Sequence, residues 1–125
     1  MLNQVTLIGR VVEVPTIRKY EPDYVTTTVV LAVARPFKNV EGNYETDFFR
    51  ISLWNGVAQN ACEYLQKGDI IGIKARLAMK DSDVSFSKED GTLKKKISVV
   101  DIIGERVCFI HSNRKKTDGQ EDENI

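Results

Sequence analysis

An all-β fold, with five short strands and one helix between the third and the fourth, is what this 125-residue sequence predicts. Three observations lead there. Apolar and polar residues alternate through several short stretches, the pattern of strands with one buried face. Only one stretch, just after Trp54, repeats its apolar residues at helical spacing. Gly, Pro and Asn clusters cut the chain at short intervals, as turns do. A chain of this length makes one domain, and 42% hydrophobic residues supply a real but modest core.

Residues 3–14 (NQVTLIGRVVEV) are β-rich and form the first predicted strand. Residues 15–24 hold two prolines and read as a loop. In residues 25–34, Thr27, Val29, Leu31 and Val33 fall on one face of a second strand. A turn-rich connection follows over 35–43, with Pro36 at its start and Gly42 near its end. The third strand, 44–54 (YETDFFRISLW), puts Phe49, Ile51 and Leu53 on one face and Phe48, Arg50, Ser52 and Trp54 on the other.

Asn55 can cap the helix, in which Val57, Ala58, Ala61, Cys62 and Leu65 share a side. Gly68 after Lys67 is a stop signal. The fourth strand, 69–80, turns Ile71, Ile73, Ala75, Leu77 and Met79 one way and Lys74, Arg76 and Lys80 the other. Residues 81–95 are polar, with Gly91 at a turn, and read as a long hairpin tip. The fifth strand covers 96–109, with a bulge expected near Asp101 where the alternation slips. Residues 110–125 show no apolar periodicity and read as a disordered, acidic C-terminal tail to a domain over 1–109. Five bent strands in this order describe an OB-fold barrel, with a small sandwich as the rival architecture.

The charges balance, with 18 Lys and Arg against 18 Asp and Glu, so the total names no partner. Their distribution is uneven. Asp118, Glu121, Asp122 and Glu123 crowd the last eight residues without a base, leaving the rest of the chain basic. No apolar run approaches the roughly 18 residues of a membrane span, and the N-terminus lacks the pattern of a secretion signal. A soluble cytoplasmic protein is expected. Cys62 and Cys108 sit in apolar surroundings and read as small buried hydrophobes. Together with the single histidine, His111, they are too widely spaced for a compact zinc site. His111 is expected to be exposed and inert. No metal, cofactor or catalytic residue is expected.

The third strand poses the functional question, because its wet face holds a Phe and a Trp. Phe48 and Trp54, six residues apart, are separated by roughly 20 Å along an extended strand. They cannot share one base. Arg50 lies between them, Phe37 lies between Arg35 and Lys38 in the preceding connection, and Phe86 sits near the hairpin tip. Aromatics interleaved with cations suit single-stranded nucleic acid. Every base has a π-face, and stacking contributes roughly 1–3 kcal/mol per base without requiring a particular one. Each aromatic also has a structural reading. Trp54 can pack under the helix, Phe48 can lie in a subunit interface, Phe37 can fold back onto the barrel, and Phe86 can stabilise the hairpin.

The chain resembles the bacterial single-stranded DNA-binding protein family over residues 1–109, as a short-tailed member. The resemblance rests on MLNQVTLIGR at the start, LAVARPFKNVEGNYETDF in the middle, and Trp54 followed by Ala58 and then YLQKGD across the helix. It implies the OB-fold and a homotetramer, or a dimer, whose first strands pair across an interface. It also implies sequence-tolerant binding of single-stranded DNA in replication, recombination and repair. The family's stacking positions fall on Phe37, Phe48, Trp54 and, by counting back from Gly91, Phe86. Phosphate contacts are expected from Arg10, Arg18, Arg35, Lys38, Arg50, Lys67, Lys74, Arg76 and Lys80. The family's usual C-terminus is a long linker ending in an acidic run and Pro-Phe, which recruits partner proteins. Here EDENI keeps the acidity without the Pro-Phe, so the resemblance does not extend to that route of recruitment.

The sequence also admits three rival readings. One is an OB-fold protein-interaction module of a primosome or recombination complex with weak DNA binding. Another is a nuclease using Asp81, Asp83, Glu89 and Asp90, although a solvated loop accounts for those acids more simply. The third is an RNA binder, since stacking discriminates sugars poorly.

Overall fold

The computed structural model describes residues 1–88 and 91–112, apart from the side chains of Tyr20, Phe86 and Lys88. Glu89, Asp90 and the greater part of the expected tail, residues 113–125, lie outside that description. The elements in order are β1 (Val5–Val11), β2 (Arg18–Glu21), β3 (Tyr24–Lys38), β4 (Tyr44–Trp54), α1 (Asn55–Tyr64), β5 (Ile70–Lys88) and β6 (Gly91–His111). They form one sheet in the order β1-β5-β6-β4-β3-β2, and a further pairing of β1 with β3 closes it into a ring. β4 and β6 run parallel through Ile51–Ile102 and Ser52–Ile103; the other pairings are antiparallel.

The alternation read from the sequence sets what lies inside the ring. Val29 and Leu31 from β3, Ile51 and Leu53 from β4, and Ile71, Ile73 and Ala75 from β5 are all fully buried. The Leu and Ile side chains among them each contribute about 1.5–3 kcal/mol relative to exposure. Helix α1 adds Ala58 and Ala61 to this core, and Leu65 follows. Thr27 is buried with its hydroxyl donating to Thr16 O at 2.8 Å. Asp69, also buried, accepts from Gln66 N at 2.9 Å and from the Ser112 hydroxyl at 3.0 Å, tying the α1–β5 turn to the end of β6.

Several expectations are corrected. The stretch read as a loop over 15–24 contains β2, which pairs Arg18 with Thr26 and Lys19 with Val25, with the turn at Pro22 and Asp23. The pairing strand therefore forms between the prolines, which themselves stay out of the ladder. The first strand is confined to Val5–Val11. The second runs on through Pro36 to Lys38, by way of an irregularity between Ala34 and Lys38. Asn55 does not cap the helix: Trp54 is the N-cap, without a side-chain bond. Asn55 instead takes a left-handed φ of 51° and accepts from Val25 N at 3.4 Å. The helix ends at Tyr64, and Gly68 turns the chain further on, at φ 92°.

The expected hairpin over 81–95 carries strand pairing along its described residues, with Asp81 opposite Ser98, Val84 opposite Lys95 and Lys88 opposite Gly91. Because the ring ends before this arm begins, Leu77 and Met79 leave the core and are exposed. The bulge sits at Glu105 rather than near Asp101, since Lys74 pairs with Arg106 and Ala75 with Gly104. The bulge places Gly104 beneath Leu53, where an added Cβ would collide with that side chain and meet Ile51 Cγ2 at 3.2 Å. Cys62 is only half-buried and Cys108 is exposed. Cys108 pairs with Gly72 on the outer side of the sheet rather than facing the core. His111 is exposed, as expected.

Candidate nucleic-acid interface

Antiparallel partners project to the same side of a sheet, so the register of β3 on β4 defines the outer face. Phe48 stands beside Ala32, Arg50 beside Val30, Ser52 beside Thr28 and Trp54 beside Thr26. Each large side chain has a small or β-branched neighbour. Phe48 is 64% exposed and Trp54 39%. Trp54 is thus partly covered but not part of the core beneath α1. The row extends into β2, because Arg18 lies opposite Thr26 and so on the side of Trp54.

The face continues across β6 into β5. Ser52 neighbours Ile103, which neighbours Arg76. Lys74, Arg76 and Lys80 alternate along this side of β5, all exposed. Between the strands, the Ser52 hydroxyl donates to Asp101 Oδ1 at 3.0 Å, so an acid sits among the bases of this face. The register therefore gathers Phe48, Trp54, Arg18, Arg50, Lys74, Arg76 and Lys80 on one surface.

The remaining expected residues are placed differently. Phe37 is 64% exposed, in the irregular part of β3. Lys38 lies 5.7 Å from the centroid of the Tyr44 ring. Arg10 donates to Gly68 O at 2.7 Å, and with the exposed Lys67 it sits at the start of β5, the end opposite the hairpin arm. Phe86 pairs through its backbone with Leu93 in the arm; its side chain is outside the described residues. Arg35 lies in an ion-pair cluster. Its Nε and Nη2 donate to the two Asp47 carboxylate oxygens at 3.1 and 3.0 Å, and Nη1 to Glu45 Oε2 at 2.6 Å. Hydrogen bonding from Arg35 holds the Asp47 carboxyl below its ordinary range; desolvation opposes this and the guanidinium charge assists it.

Two residues on this surface were not read from the sequence. Tyr44 shares the parity of Phe48 and is 59% exposed. Three polar residues, Glu45, Thr46 and Asp47, follow it, so no apolar alternation reaches Tyr44. Arg106 pairs with Lys74 and is exposed. Without the bulge at Glu105 it would have pointed inward, so its side was legible only once the bulge was placed.

A small closed sheet with one helix, carrying aromatics and cations on its outer face, defines a binding protein of the OB-fold type. The chain belongs to the single-strand binding protein family, whose model matches residues 2–110. It is 32% identical over 124 residues to the single-stranded DNA-binding protein 3 of Listeria innocua, covering 99% of this chain and 73% of that one. It is 33% identical over 110 residues to the single-stranded DNA-binding protein B of Bacillus subtilis, covering 88% of this chain and 91% of that one. A Bacillus cereus single-stranded DNA-binding protein is 35% identical over 111 residues, covering 88% of this chain and 61% of that one.

Proposed function

We propose that this protein binds single-stranded DNA without selecting a base, keeping strands unpaired during replication, recombination and repair. The observation that carries the reading is the outer face of β4, where Phe48, Arg50 and Trp54 stand in one row and the cations of β5 follow on the same side. Bases stack on Phe48, Trp54 and Phe37, with Phe86 on the arm as a fourth stacking position. Arg18, Lys38, Arg50, Lys74, Arg76 and Lys80 meet phosphates, and Arg10 and Lys67 extend the contact towards the α1–β5 turn. The role is binding rather than catalysis. The protein works in the cytoplasm, on the nucleoid, as a homotetramer. Among the described residues no helix is long and apolar enough to cross a membrane.

The test is a titration of labelled oligo-dT over a range of salt, beside a duplex of equal length. Each phosphate neutralised on a single strand adds about −0.7 to the log–log slope. The six cations that meet phosphates, Arg18, Lys38, Arg50, Lys74, Arg76 and Lys80, together give a slope of about −4 on that basis. Tight binding to oligo-dT that weakens with this slope, with weak binding to the duplex, supports the reading. Weak binding with a flat salt response supports a protein-interaction module instead.

A further inference from the structure

We infer that Arg35 is a positioning residue that presets Phe37 for stacking, and is not a phosphate ligand; this rests on the single-stranded DNA reading above. Between Ala34 and Lys38, β3 uses three residues, Arg35, Pro36 and Phe37, where β4 uses only Glu45. The ladder is broken there, and Pro36 has no N–H to offer. Phe37 therefore sits on a segment that regular strand pairing does not hold.

The side chain of Arg35 supplies the missing constraint. It grips Asp47 with a two-bonded fork and Glu45 with its third nitrogen. Glu45 in turn accepts from Asn39 Nδ2 at 3.3 Å. Asn39 closes the turn, its Oδ1 accepting from Glu41 N at 3.0 Å and Asn43 N at 2.9 Å. One guanidinium thus links the residue before Phe48 to the turn that follows Phe37. Planar two-bonded pairing of this kind fixes geometry as well as charge. Holding an aromatic in place beforehand lowers the ordering cost of binding.

Two features argue against a phosphate role. Glu45 and Asp47 alternate with Phe48 along β4, so the cluster lies on the side of the strand away from the Phe48 ring. One cation between two carboxylates also leaves the spot negative, which repels a phosphate.

The experiment uses the full chain and compares wild type with Arg35→Lys, Arg35→Gln, Phe37→Ala and the double variant Arg35→Lys with Phe37→Ala. Lysine keeps the charge and loses the fork. Arg35→Lys is expected to weaken oligo-dT binding about ten-fold, within the range of one lost stacking contact, with an unchanged salt slope. The double variant should bind no worse than Phe37→Ala alone. In the DNA-free protein, Arg35→Lys should speed amide exchange at Asn43, whose N–H bonds to Asn39. Wild-type affinity in Arg35→Lys would overturn the inference. So would losses that add in the double variant, or a salt slope about 0.7 shallower in Arg35→Gln, the mark of one lost phosphate contact. Unchanged exchange at Asn43 would reject the clamp itself. Unchanged affinity in Phe37→Ala would reject stacking at Phe37, and the positioning role with it, while leaving the reading of Trp54 standing.

Discussion

Replacing Trp54 by alanine is expected to lower affinity for single-stranded DNA by about 1–3 kcal/mol, the usual cost of one lost stacking platform. The ring is 39% exposed and shares its side of the sheet with Arg50 and, across β3, with Arg18. Its backbone already has extended geometry at the start of α1, φ −128° and ψ 147°, and makes no side-chain cap. Alanine there removes no side-chain capping bond and no core side chain, so the loss of stability should stay well below that of a core truncation. Oligo-dT titration beside a denaturant melt separates the two effects. A variant that binds as wild type but unfolds far more easily would make Trp54 a packing residue.

Gly9→Ala is expected to destabilise the fold by about 1–3 kcal/mol, as overpacking does. At an ordinary strand position the same change would normally stabilise by reducing the freedom of the unfolded chain. The sign reverses here because β1 crosses β3 at this point. A Cβ on Gly9 would lie 2.6 Å from Ala32 O and 2.8 Å from Val33 Cγ2. The first of these is backbone and cannot rotate away, so β1 must move off β3 where the ring closes through Arg10–Ala32 and Val11–Leu31. Gly56→Ala in α1 is the control, with nothing within 4 Å of the added atom. Denaturant midpoints at one protein concentration should fall for Gly9→Ala and hold or rise for Gly56→Ala. Equal midpoints would show that β1 and β3 have slack at the crossing.

The core and the aromatic face were legible because β4 is half-buried: Phe49, Ile51 and Leu53 face in, and the residues between them face out. Strict alternation carries that information in one strand alone. What stayed hidden depends on more than one strand. β2 has only four residues and little apolar pattern, so its existence follows from the partner it finds in β3. The arm is polar on both strands and holds together by cross-strand pairing, as between Asp81 and Ser98, which a hydrophobic pattern cannot signal. Asn55 looks like a helix cap because Asn before an apolar run often is one. Here the turn from β4 into α1 uses its tolerance of positive φ instead. Arg35 reads as a phosphate ligand from its basic and aromatic neighbours, and the sequence gives no sign of its ion pairs. Its two carboxylate partners come from the next strand, 10 and 12 residues away, on a side that only the register defines.

The most direct test of the central claim, that bases stack on the outer face of β4, uses the intrinsic fluorescence of the protein. The chain has one tryptophan, so Trp54 reports alone. Oligo-dT added to the full chain should quench this emission in a saturable titration, with a midpoint that moves to higher DNA concentration as salt is raised. Unchanged emission, under conditions where a labelled strand is shown to be bound, would place the DNA elsewhere and contradict the account.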